Sequence, residues 1–175
     1  MDKRILWITR TAVFIALLVS LQAATRPLGQ FVTGSIVNLI LAVSVMTCGM
    51  SSGTVVSAIS PMMAWLFGIA PNPVLVPFII VGNIVFVLLW HFIGNIDKGN
   101  KYVVYVIAMI AAACAKFSVL YLGIVHIAIP LLLQDLSEQA AAMMSGMFGI
   151  PQLITATVGG ILAIAIFPTL RKAIK

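Results

Sequence analysis

The stretch YVVYVIAMIAAACAKFSVLYLGIVHIAIP, residues 102–130, is apolar almost throughout and carries one full charge, Lys116, near its middle. A helix that crosses a bilayer needs about 20 predominantly apolar residues, and this run exceeds that length. A lone ammonium at membrane depth costs about 2.5 kcal/mol or more, so Lys116 is expected to face protein, water or a ligand rather than lipid. The carboxylates of the chain are Asp2, Asp97, Asp135 and Glu138, and none falls inside an apolar span. A buried cation without an ionic partner in its own chain suggests that something anionic or strongly accepting comes to it.

The rest of the chain has the same character. Apolar residues make up 62% and charged residues 8%, and the mean hydropathy is +1.19. A soluble core of 175 residues cannot hide that much apolar surface. Residues 27–96 contain no Asp, Glu, Lys or Arg. The expected fold is therefore an all-α integral membrane protein, a compact bundle of six transmembrane helices in one domain, 1–175. The helices are placed at about 5–24, 31–48, 52–67, 74–92, 102–128 and 151–168. Breakers mark the joints: Arg26-Pro27-Leu28-Gly29, the glycines and serines of 48–53, Pro71-Asn72-Pro73, and 94–101. No internal repeat of solenoid or inverted-transporter type is present. The N-terminal run partly meets the pattern of a signal peptide, but 5–24 is long for one and a second span follows closely, so it reads as a retained helix.

The net charge of +6 raises the question of nucleic acid, and its placement argues against it. With both termini inside, the inner ends carry Lys3, Arg4, Arg10, Lys98, Lys101, Arg171, Lys172 and Lys175, and the outer loops carry only Arg26. That asymmetry follows the positive-inside rule and makes both termini cytoplasmic. Trp7 and Trp90 then sit at inner ends as belt residues, and Trp65 and Tyr121 are either belt residues or stacking surfaces for a ring. Cys48 and Cys114, with no metal or CxxC spacing, read as buried free thiols.

This orientation collects polar side chains at one depth. Thr33 and Asn38 lie in the outer half of helix 2, Asn72 at the outer turn after helix 3, and Asn83 near mid-depth. Lys116 is about 14 residues, roughly 20 Å, up helix 5. Tyr121 lies further out, and Gln152 and Thr155 open helix 6 from the outside. A polar-lined cavity opening outward is the simplest account, although such amides also serve as interhelical glue. The connection 131–149 mixes apolar residues with Gln134, Asp135, Glu138 and Gln139, which suggests a helix or lid over the outer face. Ala12, Ala16 and Ser20 form a stripe of small residues on helix 1, suited either to internal packing or to the close approach of another helix.

Several chemistries are missing. The chain has no GxxxxGK[ST], HExxH or GxSxG and no carboxylate pair within the membrane, so an evident acid, base, nucleophile or phosphate cradle is lacking. No cofactor or metal site is indicated. Three rivals remain on residues alone: a non-catalytic assembly subunit, an intramembrane enzyme acting on a lipid or quinone, and a stand-alone secondary transporter.

Particular segments go further. They are Gly29-Gln-Phe-Val-Thr-Gly-Ser-Ile-Val-Asn38, Ser60-Pro61, Gly68-Ile-Ala-Pro-Asn-Pro73, Pro77 through Gly82-Asn83, Ala115-Lys116-Phe117, Gln152-Leu-Ile-Thr155 and Gly159-Gly160. In these the chain resembles the S component, the substrate-binding subunit, of energy-coupling factor (ECF) transporters, in their vitamin-uptake branch. The resemblance implies a multi-pass protein of a bacterial or archaeal cell membrane. It would capture a vitamin-like small molecule and associate with a transmembrane coupling protein carrying two ATPase subunits, on which ATP hydrolysis resides. It also implies that Ala12 and Ala16, with Ser20, face the coupling protein. The loop containing Arg26, Pro27 and Gly29 would gate the pocket. Lys116 favours a ligand with a carboxylate, a phosphate or a carbonyl-rich ring over a cationic one.

Overall fold

A computed structural model describes residues 2–68, 72–97 and 99–174, without the side chains of Lys3, Ala173 and Ile174. Seven α-helices account for most of these residues: α1 (Lys3–Thr25), α2 (Gln30–Cys48), α3 (Met50–Leu66), α4 (Val76–Gly94), α5 (Lys101–Leu120), α6 (Glu138–Phe148) and α7 (Ile150–Ile174). Among the described residues, five stretches are long and apolar enough to cross a membrane. They contain α1, α2, α4, α5 and α7. The sixth long helix, α3, has 17 residues, about 26 Å of rise against a hydrocarbon thickness of about 30 Å.

Short connections force successive long helices to run in opposite directions. Gly29 and Gly49 make the two tightest reversals at φ 85° and 83°, a conformation that strains any residue with a Cβ. Other helix starts are capped by side chains: Asp2 accepts from the Arg4 N–H, Asn100 from Tyr102 and Ser137 from Ala140. The connection 131–149 does contain a helix, the short α6, which packs against the end of α5 and against α7.

α2, α4, α5 and α7 form the centre of the bundle. Leu41, Phe86, Val87, Trp90, Met109, Ala112 and Ala156 close its core. α2 and α7 approach most tightly at Gly159: a Cβ there would stand 2.6 Å from the Ser35 carbonyl oxygen and 2.7 Å from the Leu39 nitrogen. A Cβ on Gly34 would meet the Thr155 side chain at 3.1 Å. In a membrane, where lipid is as apolar as leucine, such small-residue contacts let backbones close and fix helix register.

Four expectations are corrected. Trp90 is not a belt residue but a core residue, 1% exposed. Cys114 is exposed and Cys48 half-buried, so neither thiol is fully buried. Pro168 lies inside α7, which continues through the basic residues Arg171 and Lys172. α5 also does not end near residue 128; it widens into a π-helix over Tyr121–Leu132 that accommodates Pro130.

Arg4, Arg10, Lys101, Arg171 and Lys172 gather at the end of the bundle that bears the termini, and Arg26 lies at the other end. Lys98, Lys175 and Pro71, used in the charge and breaker arguments, are outside the described residues, as is the side chain of Lys3.

Candidate functional site

At the end of the bundle away from the termini, the helix ends enclose a cavity of about 100 Å³. Its wall takes Gln22 from α1, Thr33 and Asn38 from α2, Ser60 and Pro61 from α3, Asn83 from α4, Lys116 from α5, and Gln152 from α7. The register explains the convergence: Gln30, Thr33, Gly34, Val37 and Asn38 occupy one face of α2 at helical spacing, and all five line the cavity.

Lys116 is 3% exposed, and its Nζ donates to Asn38 Oδ1 at 2.6 Å. The ring of Phe86 lies beneath it, its centroid 5.6 Å from Nζ. Asn38 is held in turn. Its Nδ2 donates to the Gly34 carbonyl at 2.9 Å and, more weakly, to Thr155 Oγ1 at 3.4 Å. Thr155 Oγ1 donates to the Gln152 carbonyl at 3.2 Å, and Gln152 Nε2 donates to the Met147 carbonyl at 3.2 Å. This chain of bonds ties α2, α5, the end of α6 and α7 together and turns the Asn38 oxygen toward the ammonium. The partner of Lys116 is therefore a neutral carbonyl dipole, not a carboxylate.

Asn83 is the exception to this bookkeeping. It is 1% exposed, yet neither Nδ2 nor Oδ1 finds a hydrogen-bond partner among the described protein atoms. A buried amide left unpaired costs about 1–3 kcal/mol, which sets Asn83 apart from the other polar residues of the wall. Its backbone is fixed from α3, where Ser57 Oγ donates to the Asn83 carbonyl at 3.3 Å.

Of the residues singled out from the sequence, the structure brings Lys116, Asn38, Asn83, Gln152 and Thr33 to the cavity. Thr155 stands behind Asn38 rather than on the wall. Asn72 is not a lining residue: its side chain caps the turn before α4 by accepting from the Val74 N–H at 2.9 Å. Tyr121 is also outside the wall, stacked on Phe117 at 5.5 Å and edge-on to His126 at 5.0 Å. The wall further includes Gln22, Gln30, Ser60, Met147 and Phe148, which sequence reasoning missed. The helical spacing of Gln30 from Asn38 was the available signal for one of them; Gln22 and Ser60 become visible only with the packing.

Arg26, Pro27 and Gly29 form an exposed turn between Gln22 and Gln30, at the rim of the same cavity. Thr33 Oγ1 fastens this turn to the α1 end by donating to the Thr25 carbonyl at 2.9 Å. On α1, Thr11 and Leu18 face inward, and Thr11 Oγ1 bonds Ser52 Oγ at 2.9 Å. Ala12, Ala16 and Ser20 lie on the exposed side of that helix, so the small-residue stripe is not used for packing within the bundle.

Neither the curated proteins nor the solved structures offer a match to this chain. The family model described as "ECF transporter, substrate-specific component" matches residues 7–171, nearly the whole length. Members of that family are non-catalytic, substrate-binding subunits that work with a membrane coupling protein and ATPases. A bundle of apolar helices with a polar cavity at one end suits that role, and the chain belongs to the substrate-specific components of the ECF transporters.

Proposed function

We propose that this chain captures a small anionic or carbonyl-rich molecule, of the kind represented by acidic vitamins, from outside a bacterial or archaeal cell. The cavity around Lys116 is its binding site, and both termini are cytoplasmic. The observation that carries this reading is a pair of unmet needs on one wall. Lys116 has a single neutral acceptor, and the amide of Asn83, buried on the wall of the same cavity, has no partner among the described residues. A carboxylate or phosphate answers the first, and a neighbouring hydroxyl or amide answers the second. Asn38 positions Lys116, with Thr155 and Gln152 bonded in series behind it; Thr33 ties down the adjoining turn, and Asn72 and Tyr121 lie outside the wall.

The cavity, about 100 Å³, is smaller than the roughly 300 Å³ at which ordinary ligand pockets begin. Admission of a vitamin-sized molecule therefore requires the wall to move. The movement would fall on the turn at Arg26, Pro27 and Gly29, held by the Thr33–Thr25 bond, and on the short α6, whose Met147 and Phe148 close one side and which is held by the Gln152–Met147 bond. Ala12, Ala16 and Ser20 present the surface for the coupling protein with its two ATPase subunits. Their exposure supports that role over internal packing.

The test is calorimetric titration of the purified chain with a panel of acidic, neutral and cationic vitamins. An acidic ligand is expected to bind, and Lys116→Met to weaken it at least tenfold. Acidic-ligand affinity unchanged by Lys116→Met refutes the site. An empty panel favours an assembly subunit without cargo.

A further inference from the structure

A second, larger concavity lies away from Lys116. It is a groove of about 460 Å³ at the opposite end of the bundle, between the start of α5 and the end of α7. Its lining has two parts. Lys101, Arg171 and Lys172 form a cationic rim, and Tyr102, Tyr105, Ile164, Phe167 and Pro168 form an apolar floor. Tyr105 and Phe167 meet edge to face at 5.7 Å and 84°, which gives that floor a fixed aromatic surface.

Basic residues in the last turn of a helix are ordinary, because they complement its macrodipole, and basic inner ends are ordinary in membrane proteins. Neither explanation calls for an open groove beneath them. Among the described residues the one ion pair at this end is Lys101 with Asp97, at 3.0 Å, and Asp97 is 94% exposed. Lys101 also donates to the Ile96 carbonyl at 3.2 Å, so it is anchored at the rim rather than extended into solvent. Among the described residues no carboxylate pairs with Arg171 or Lys172. The start of α5 at Lys101 adds the positive end of its dipole to the rim, with Asn100 accepting from the Tyr102 N–H.

We propose that this groove is a binding site for an anionic phospholipid. The headgroup phosphate is held by Arg171, Lys172 and the α5 start, and the glycerol and upper acyl chain lie along Tyr102, Tyr105 and Phe167. The two-part lining matches the two-part chemistry of such a lipid, charged at the interface and apolar below it, and the groove opens at the end of membrane-spanning helices, where lipid is always present. A soluble anion would use the rim and leave the aromatic floor in water. The site is remote from the cavity around Lys116 and does not depend on what that cavity binds.

The experiment uses the full chain reconstituted in vesicles of equal phosphatidylglycerol and phosphatidylcholine. It is then extracted in mild detergent, and the lipid retained per protein is resolved by headgroup. Retention of phosphatidylglycerol over phosphatidylcholine is expected. Each cation at a membrane surface contributes about a fivefold preference, so Arg171→Gln with Lys172→Gln is expected to lower that retention about 25-fold. Tyr102→Ala keeps every cation, lies on an exposed position and is expected to lower retention about threefold. Equal retention of the two headgroups by the unsubstituted chain overturns the proposal and leaves the groove to a protein partner. A loss with the charge variant but none with Tyr102→Ala also overturns it, since general attraction at the surface then accounts for the binding.

Discussion

The bond between Lys116 and Asn38 allows a double-mutant cycle to separate a charge-bearing contact from ordinary helix glue. Asn38→Ala removes the one acceptor of the ammonium, at 2.6 Å, and with it the bonds to Gly34 and Thr155. Hydrogen bonds between membrane helices average about 0.6 kcal/mol in measured cycles, with a maximum near 1.7. A bond to a charged group is worth about 1.5–3 kcal/mol, and removing one partner strands the other in a dry place. The bond here is short and charged, and Lys116 is nearly enclosed, so the upper range applies. Asn38→Ala is expected to destabilise the ligand-free chain by about 2–3 kcal/mol, a fall of about 5–10 °C in midpoint for a chain of this size. Lys116→Met removes the ammonium that Asn38 serves. The double variant is therefore expected to be more stable than the sum of the single losses, by at least about 1.5 kcal/mol. Thermal unfolding in one detergent, followed by circular dichroism, measures all four corners. Additive losses, or a coupling near 0.6 kcal/mol, refute the view that Asn38 is the structural partner of a buried charge.

Other expectations follow from single contacts. Asn83→Leu removes an unpaired buried amide, so it is expected to raise stability by about 1 kcal/mol while weakening ligand binding at least tenfold; unfolding and titration of one preparation check both signs. Gly159→Ala sets a Cβ against the backbone of α2 at 2.6 Å and is expected to cost about 2–3 kcal/mol in thermal unfolding. Gly160→Ala sets a Cβ 2.5 Å from Met109 Cγ and 3.1 Å from the Trp90 ring; these are side chains rather than backbone, so it is expected to cost less than Gly159→Ala. Ala12→Leu with Ala16→Leu changes an exposed face of α1, so co-purification with the coupling protein is expected to fall sharply while titrated ligand affinity stays within about twofold.

How much of this was legible beforehand depends on the kind of information involved. Helix existence was legible, because apolar runs of bilayer length and the breakers at Arg26-Pro27 and Gly49 are local properties. So was the importance of Lys116, since a charge in hydrocarbon needs a reason. Which way a helix faces was less so. Apart from Asn83 and His91, α4 is apolar, so hydropathy alone does not mark its inner face, and only the helical spacing of Trp90 from Asn83 places Trp90 in the core rather than at the interface, where it was assigned. Cys114, on the exposed side of α5, is the same error in reverse. The pairing of Lys116 with Asn38 spans 78 residues of chain and depends on the register that Gly34 and Gly159 set between α2 and α7. Asn72 was read by its depth, while its local setting before Pro73 already favoured a cap.

The central claim is that the missing counter-charge of Lys116 is the cargo. The most direct measurement is mass spectrometry of small molecules released from the chain after purification from cells, with Lys116→Met purified in parallel. The account expects one anionic or carbonyl-rich compound, near one per protein, in the unsubstituted chain and its loss from the Lys116→Met variant. A cationic compound, or any compound retained equally by both proteins, would contradict it.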